Sequence, residues 1–407
     1  MAEPSLARER VAHYWPVDDL PGVQFDPLLA RLLREEPIAR IRLRFGEGDA
    51  WLVTRYEDVK LVTADPRFSR AATVDRPVTS MTPHVIGLPR GIGRIDPPDH
   101  TRLRRLVTQS LSPRRVDRLR PRAEATADEL LTGLARQGPL ADLVDAVIAP
   151  FSMRVISELL GVADQDWDRV RDWQRIILSS NHSRAEADAV KKEIGGYFRA
   201  LAERRSGQPG DDLFSALVVA RDTGELTTPE LISLAVILQL NGMDMVLSTA
   251  SSMVYLLLTQ PGWAARLRDD SSLLPVAVEE MLRFNPARNG VGLPRIAMED
   301  VQVGDVTIRA GEAVYVSYLT ANRDPAVFAE PDQLDLERAD NPHLAFGYGI
   351  HYCHGAALTR MELDVLLSAL LKRFDGLELA CPATEIEWLR GAVSRRPVAL
   401  PVTWKAS

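Results

Sequence analysis

Apolar residues recur at helical spacing from Phe25 to Glu36 (FDPLLARLLREE), whereas the next stretches, IARIRLR and AWLVTR, alternate apolar and polar positions around a break at Gly46 to Asp49. A helix and then a β-hairpin are expected there. From Pro97 to about Leu282 the period is almost wholly helical, with cap residues at Asp99, Ser112, Asp164 and Thr228 and breaks at Gly138, Gly161, Gly207 to Gly210 and Gly262. Alternation returns after Pro294. Val301 to Tyr318 (VQVGDVTIRAGEAVYVSY) reads as a small sheet, and helix resumes at Gly355. Phe68 to Gly93 is rich in Pro, Thr, Arg and Gly with little periodicity, and loops of that length are commonly functional, so 68–93 is expected to be a lid or binding loop. Neither a repeat nor a long linker divides the chain. The expected architecture is mainly α with small β sheets, in one large domain spanning 1–407.

Composition narrows the function classes. A formal net charge of -7 over 407 residues argues against a general nucleic-acid binder, which needs surplus Lys and Arg to displace counterions. Two cysteines, Cys353 and Cys381, cannot build a disulfide framework and suit a reducing cytoplasm. The polar N-terminus lacks a signal-like apolar stretch, and Leu231 to Leu240, interrupted by Ser233 and Gln239, is short of the ~20 residues a membrane span needs. It is expected to be a buried helix, with no membrane partner.

The chemistry concentrates at Phe346-Gly347-Tyr348-Gly349-Ile350-His351-Tyr352-Cys353-His354-Gly355, followed by the amphipathic run AALTRMELDVLLSALLKRF. Two glycines permit a tight turn before the thiol, and the following helix contributes the positive end of its dipole. Both favour thiolate. A small buried cysteine beside a glycine turn is the plainer alternative. Zinc held by His351, Cys353 and His354 is disfavoured, because alternate residues do not readily converge on one tetrahedral ion.

This segment resembles the haem-binding signature of the cytochrome P450 superfamily, Phe-Gly-x-Gly-x-His-x-Cys-x-Gly and a later Arg, here Arg360 preceded by Thr359 where Ala is more usual. The resemblance extends over nearly the whole chain and is to the soluble bacterial, actinobacterial type. It implies a haem b buried between a long distal helix at 228–260 and a proximal Cys loop and helix at 346–374. Cys353 would be the axial thiolate and metal ligand, whose electron density favours O–O bond cleavage. Phe346 and Gly347 would belong to the cofactor loop.

Other family positions are matched in register. Glu280 and Arg283, three apart on one helix face, would lock to Arg338 as a structural trio. Buried haem propionates need cationic partners, and the resemblance assigns His100, Arg104, Arg295 and His351 to them. Arg102, Arg105, Arg114 and His354 would give the proximal face local positive charge for an acidic iron–sulfur partner.

The distal helix departs from the family pattern Ala-Gly-x-Asp/Glu-Thr, reading Asn241-Gly242-Met243-Asp244-Met245. Gly242 fits the place where the family's helix loosens to admit oxygen, and Asp244 fits the acid. Met245 replaces the threonine and cannot relay a proton. Ser248 and Thr249, three and four residues on, share its helix face and stand as candidates to hold a water in the catalytic set. Proton delivery by a substrate hydroxyl, phenol or indole N–H is the alternative to ordered water. Asn241 would meet a polar substrate group or bond to backbone within the loosened helix. Pocket walls are expected from Thr79 to Leu88, Asn289 to Leu293 and Ala392 to Ser394, with Asn289, Val291 and Val393 as substrate contacts.

The implied activity is a cytoplasmic monomeric haem-thiolate monooxygenase. It would oxidise a specialised small molecule with O2 and electrons from a ferredoxin and ferredoxin reductase, by hydroxylation or epoxidation. Oxidative aryl or C–N coupling is the alternative, and a non-catalytic haem sensor or ligand carrier is the alternative of another class.

Overall fold

The computed structural model describes residues 11–17, 19–74, 76–85, 88, 91–285 and 291–405. Its centre is a helix of 32 residues, Thr228–Thr259, most of whose side chains are buried. Its cap is Thr227, one residue before the expected Thr228. Thr227 and Glu230 form a reciprocal capping box, and a proline in the first turn needs no intrahelical N–H donor. The length exceeds the apolar decamer seen in sequence because polar Ser and Thr side chains are buried along it as well. By length and composition the helix is apolar enough to cross a membrane, but 72% of the relevant window is buried within the fold. Ala149–Leu160, Arg184–Arg205 and Ala356–Arg373 pack against it, Pro113–Gln137 packs on the first and last of these, and their apolar faces merge into one core.

The expected early elements form as read. Asp26 caps Pro27–Glu35 by accepting from the N–H groups of Leu28 and Leu29. Ile38–Arg42 and Ala50–Val53 pair antiparallel, Ile38 opposite Val53. They belong to a six-stranded sheet in the order His13–Tyr14, Ile38–Arg42, Ala50–Val53, Ala313–Val316, Arg295–Ala297, Phe68–Ser69. A second hairpin pairs Val301–Val303 with Val306–Ile308.

Among the strands outside the expectation are two with remote partners. Ala141–Asp142 interrupts the helical half to pair with Pro401–Thr403, and Phe68–Ser69 opens the expected lid as an edge strand on Arg295–Ala297. Both are two residues long, too short for a period to register. Their partners lie hundreds of residues away. Asp99 is likewise the first helical residue rather than a cap, since Pro98 precedes Asp99–Ser110.

Candidate active site

The ten residues around Cys353 are shaped by two glycines in the left-handed region, Gly347 at φ +77° and Gly349 at φ +72°. At Gly349 a side chain is excluded twice over, because a Cβ would also lie 2.7 Å from the Thr63 carbonyl oxygen. The Cys353 N–H donates to Phe346 O at 2.9 Å and closes the loop. Ala356–Arg373 begins three residues later, so its N-terminus follows directly on the sulfur. Of the two cysteines Cys353 is exposed and Cys381 half-buried.

Arg360, on the first turns of that helix, fastens the loop from behind. It donates to both Glu279 oxygens at 2.6 and 2.8 Å and lies over the Phe346 ring, 4.5 Å from its centroid. His343 Nε2 reaches the same carboxylate at 3.0 Å. Burial works to raise the Glu279 carboxyl, but the hydrogen bonds from Arg360 and His343 outweigh it and hold the group at about 2. Glu279 was not singled out in sequence; its neighbour Glu280 carried the recognisable spacing.

Glu280, Arg283 and Arg338 do meet. The first two are fully buried and paired at 2.7 Å, and Arg338 Nε reaches Glu280 at 3.1 Å. Arg283 also donates to the carbonyls of Asn322, Pro331 and Gln333, while Glu280 accepts from the Asp335 N–H and the Asn341 amide. The trio thereby fixes the irregular segment that leads into the Cys loop. Every side-chain donor and acceptor of the trio itself has a partner, which is the condition under which a buried ion pair is tolerated.

On the other side of the loop, donors are left over. His100 and His351 pack edge to face with centroids 4.4 Å apart, and the Nε2 atom of each is buried without a hydrogen-bond partner. Arg295 is 1% exposed, with both Nη atoms unpartnered, and the Nε of Arg70 is in the same position. Burial, reinforced by nearby positive charge from Arg104 and Arg70, pushes His100 down to about 4. Burial and the same guanidinium of Arg70 push His351 lower still. Buried polar groups are ordinarily paired, so this cluster fits an anionic group with several acceptor oxygens, such as the carboxylates of a haem.

Arg104 also serves the loop itself. Its guanidinium donates to the carbonyls of Ile350 and Tyr352 at 2.7 and 2.9 Å and so grips the Cys loop itself. Arg70, which sequence reading assigned only to a lid, has joined the cluster instead. No local signal marks it, because its neighbours there are brought by other elements.

On the long helix, Asp244 is buried and accepts from the Gln174 amide at 2.9 Å and the Ser394 hydroxyl at 3.1 Å. Gln174 escaped sequence reading, and Ser394 entered it only as a pocket wall. The expected loosening at Gly242 is not seen: the helix is continuous, and a Cβ at Gly242 would lie 2.5 Å from Ile156 Cδ1. The glycine there serves close helix packing. Met245 is half-buried, Ser248 and Thr249 are buried, and Ser248 Oγ has no hydrogen-bond partner. Asn241 is half-buried.

Of the expected pocket walls, Met81, Thr82, Ala392 and Val393 line one cleft together with Ser180. Val393 is pinned there by its N–H to the Leu178 carbonyl at 2.9 Å. Val291 is buried beside the sheet in the core that includes Tyr315, and Asn289 lies outside the described residues.

Comparison with known proteins agrees with this geometry. A family model for cytochrome P450 matches residues 141–397. Biflaviolin synthase of Streptomyces coelicolor is 45% identical over 390 residues, covering 96% of this chain and 96% of that protein. Nocardicin C N-oxygenase of Nocardia uniformis is 46% identical over 393 residues, covering 96% and 98%. A solved cytochrome P450 with biaryl coupling reactivity superposes with a TM-score of 0.93 at 43% identity, over 97% of this chain and 100% of that one. The chain belongs to the cytochrome P450 family, the haem-thiolate monooxygenases whose iron is held by a cysteine sulfur.

Proposed function

We propose that Cys353 supplies the axial thiolate of a haem b, and that the protein is a cytoplasmic enzyme that inserts one oxygen atom from O2 into a specialised metabolite by hydroxylation or epoxidation. The observation that carries this reading is the pairing of a glycine-shaped cysteine loop with buried, unpartnered donors on His100, Arg295 and His351. The bound haem supplies oxygen activation tuned by its thiolate. The chain's own residues do the rest. The cation cluster holds the carboxylates, Glu279 and Arg360 fix the loop, and Gly349 lets it approach the 56–64 helix.

Asp244, held by Gln174 and Ser394, is the acid placed to hold a proton on the distal side. Met245 interrupts any direct side-chain relay from that acid, so a hydroxyl or N–H of the substrate, or a water at Ser248, completes the path. Asn241 and Val393 face substrate in this reading. A second reading, oxidative coupling of an aromatic substrate, is favoured by the biaryl coupling reactivity of one structural relative and by biflaviolin synthase among the sequence relatives.

Electrons arrive from a ferredoxin served by its reductase, on a monomeric enzyme. The positive face differs from the one expected. Arg102 is committed to Glu230 and Arg105 to Glu225, the latter at 3.1 Å. Burial pushes His354 down to about 4, with the charge of Arg104 adding to it, so it is neutral at pH 7. What the loop presents outward is apolar: Tyr348, Ile350 and Tyr352 are 39%, 41% and 37% exposed, with the Lys60 ammonium 5.3 Å from the Tyr348 ring centroid. A partner docks on that apolar centre with a basic rim.

The test is turnover of candidate metabolites with a ferredoxin, its reductase and NADPH, read by product mass. A gain of one oxygen supports the first reading, and loss of hydrogen with joining of two rings supports the second. Cys353→Ser must abolish both, together with the thiolate signature of the reduced carbonyl adduct; retention of either overturns the assignment of the sulfur.

A further inference from the structure

The distal acid is gripped at one atom. Gln174 Nε2, on Trp167–Ile177, and Ser394 Oγ both donate to Asp244 Oδ1, at 2.9 and 3.1 Å, and all three side chains are buried. A carboxylate oxygen has two lone pairs, so two donors saturate Oδ1 and the acid's own proton belongs on Oδ2. Hydrogen bonds strengthen as their acceptor gains charge, which favours the carboxylate left behind when that proton is given up.

The two donors are held in turn. Val393, next to Ser394, donates its N–H at 2.9 Å to the carbonyl of Leu178, which caps the helix of Gln174. The Gly391 carbonyl accepts from the Ser180 N–H at 2.6 Å and from the hydroxyls of Ser179 and Ser180 at 3.0 and 3.1 Å. Gly391 has φ +62°, and a Cβ there would lie 2.3 Å from the Asn181 amide nitrogen, so the turn excludes a side chain. Ser180, Gly391, Ala392 and Val393 are at the same time walls of the cleft. The grip on the acid is therefore preorganised by the cleft wall. Arg396, two residues past Ser394, is near enough for the Asp244 charge to act on it.

Packing alone does not account for Gln174. Its Oε1 is buried without a hydrogen-bond partner, a cost that an apolar side chain of similar length would avoid. We infer that Gln174 and Ser394 are positioning residues that orient Asp244 for proton delivery, saturating Oδ1 so that the proton is presented on Oδ2. The inference rests on the reading of Asp244 as the distal acid of a haem enzyme.

Cumene hydroperoxide tests this without the native substrate. When its O–O bond breaks heterolytically, the acid gives its proton to the leaving alkoxide, which departs as cumyl alcohol, and takes one back from the hydroperoxide O–H; the terminal oxygen stays with the haem, which loses two electrons. Without that proton the bond breaks homolytically, the haem loses one electron, and the cumyloxyl radical fragments into acetophenone and a methyl radical. The ratio of cumyl alcohol to acetophenone is measured on haem-loaded full-length wild type, Asp244→Asn, Gln174→Met, Ser394→Ala, Ser394→Thr and the double variant Asp244→Asn with Gln174→Met.

Asp244→Asn is expected to lower the ratio about tenfold or more, as loss of a general acid does. Gln174→Met and Ser394→Ala should each lower it about fivefold, the effect of removing one hydrogen bond of ordinary net strength. Ser394→Thr keeps the hydroxyl and should recover most of that loss. Adding Gln174→Met to Asp244→Asn should lower the ratio no further, because a positioning residue acts only through the acid.

Wild-type ratios in Gln174→Met and Ser394→Ala beside a low one in Asp244→Asn overturn the proposal and leave the acid in place. So does a further fall in the double variant, or equal loss in Ser394→Ala and Ser394→Thr, either of which marks a structural role. A wild-type ratio no higher than that of Asp244→Asn would overturn the role of Asp244 as well. Wild-type protein that takes up no haem would overturn the haem reading beneath both.

Discussion

A thioether neither donates nor relays a proton, so Met245 removes a hydroxyl from the helical turn that carries Asp244. The acid itself is not idle. Its hydrogen bonds to Gln174, on Trp167–Ile177, and to Ser394, near the C-terminus, hold the carboxylate between three distant parts of the chain. Restoring the hydroxyl tests who completes the proton path. Met245→Thr is expected to change product ratio and product formed per electron consumed with the native substrate, and to matter less for substrates that carry an acidic O–H. Unchanged coupling and product ratio would show that ordered water already suffices. Asn241 and Met245 were legible as departures from a pattern, because their significance lies in one helix. Gln174 was not: a glutamine on an amphipathic helix has no mark until its partner, 70 residues on, is known.

At the scale of elements, spacing in sequence translated well where contacts are local. The Ile38–Arg42 and Ala50–Val53 hairpin and the Ala356–Arg373 helix follow from period and turn residues. Gly242 shows the limit of such reading. Glycine in a helix admits either local loosening or close approach, and the neighbouring helix decides between them. Ile156, on Ala149–Leu160, occupies the space a side chain would need. Gly242→Ala is therefore expected to cost about 1–3 kcal/mol of stability from overpacking, recovered in part by Ile156→Val, with urea unfolding of the haem-loaded protein as the measurement. A double variant no more stable than Gly242→Ala alone would remove Ile156 as the cause.

The whole molecule converts these packings into a cofactor cleft and a docking face. Acid stability reports the first. Glu279 sits at about 2 in the folded protein against an ordinary 4.5, so its interactions stabilise fully above the ordinary value and are lost as pH falls from 4.5 towards 2. The stability difference between wild type and Glu279→Gln should be constant above that window and shrink within it, as followed by unfolding at fixed pH. Electron entry reports the second. Replacing Ile350 and Tyr352 together by Ser should slow reduction by a ferredoxin about tenfold while dithionite reduces the variant normally, since a buried apolar contact of that size is worth about 1–3 kcal/mol. The amino-acid sequence by itself determined the mainly helical class, the cysteine loop and the Glu280–Arg283 spacing, because each depends on residues within a few turns of one another. Tertiary structure alone decided that Arg70 is buried near Arg295 and that Arg104 donates to the Ile350 and Tyr352 carbonyls. A guanidinium's role is set by whichever acceptor lies within hydrogen-bond reach, and for these arginines every such neighbour is supplied by a remote segment of chain.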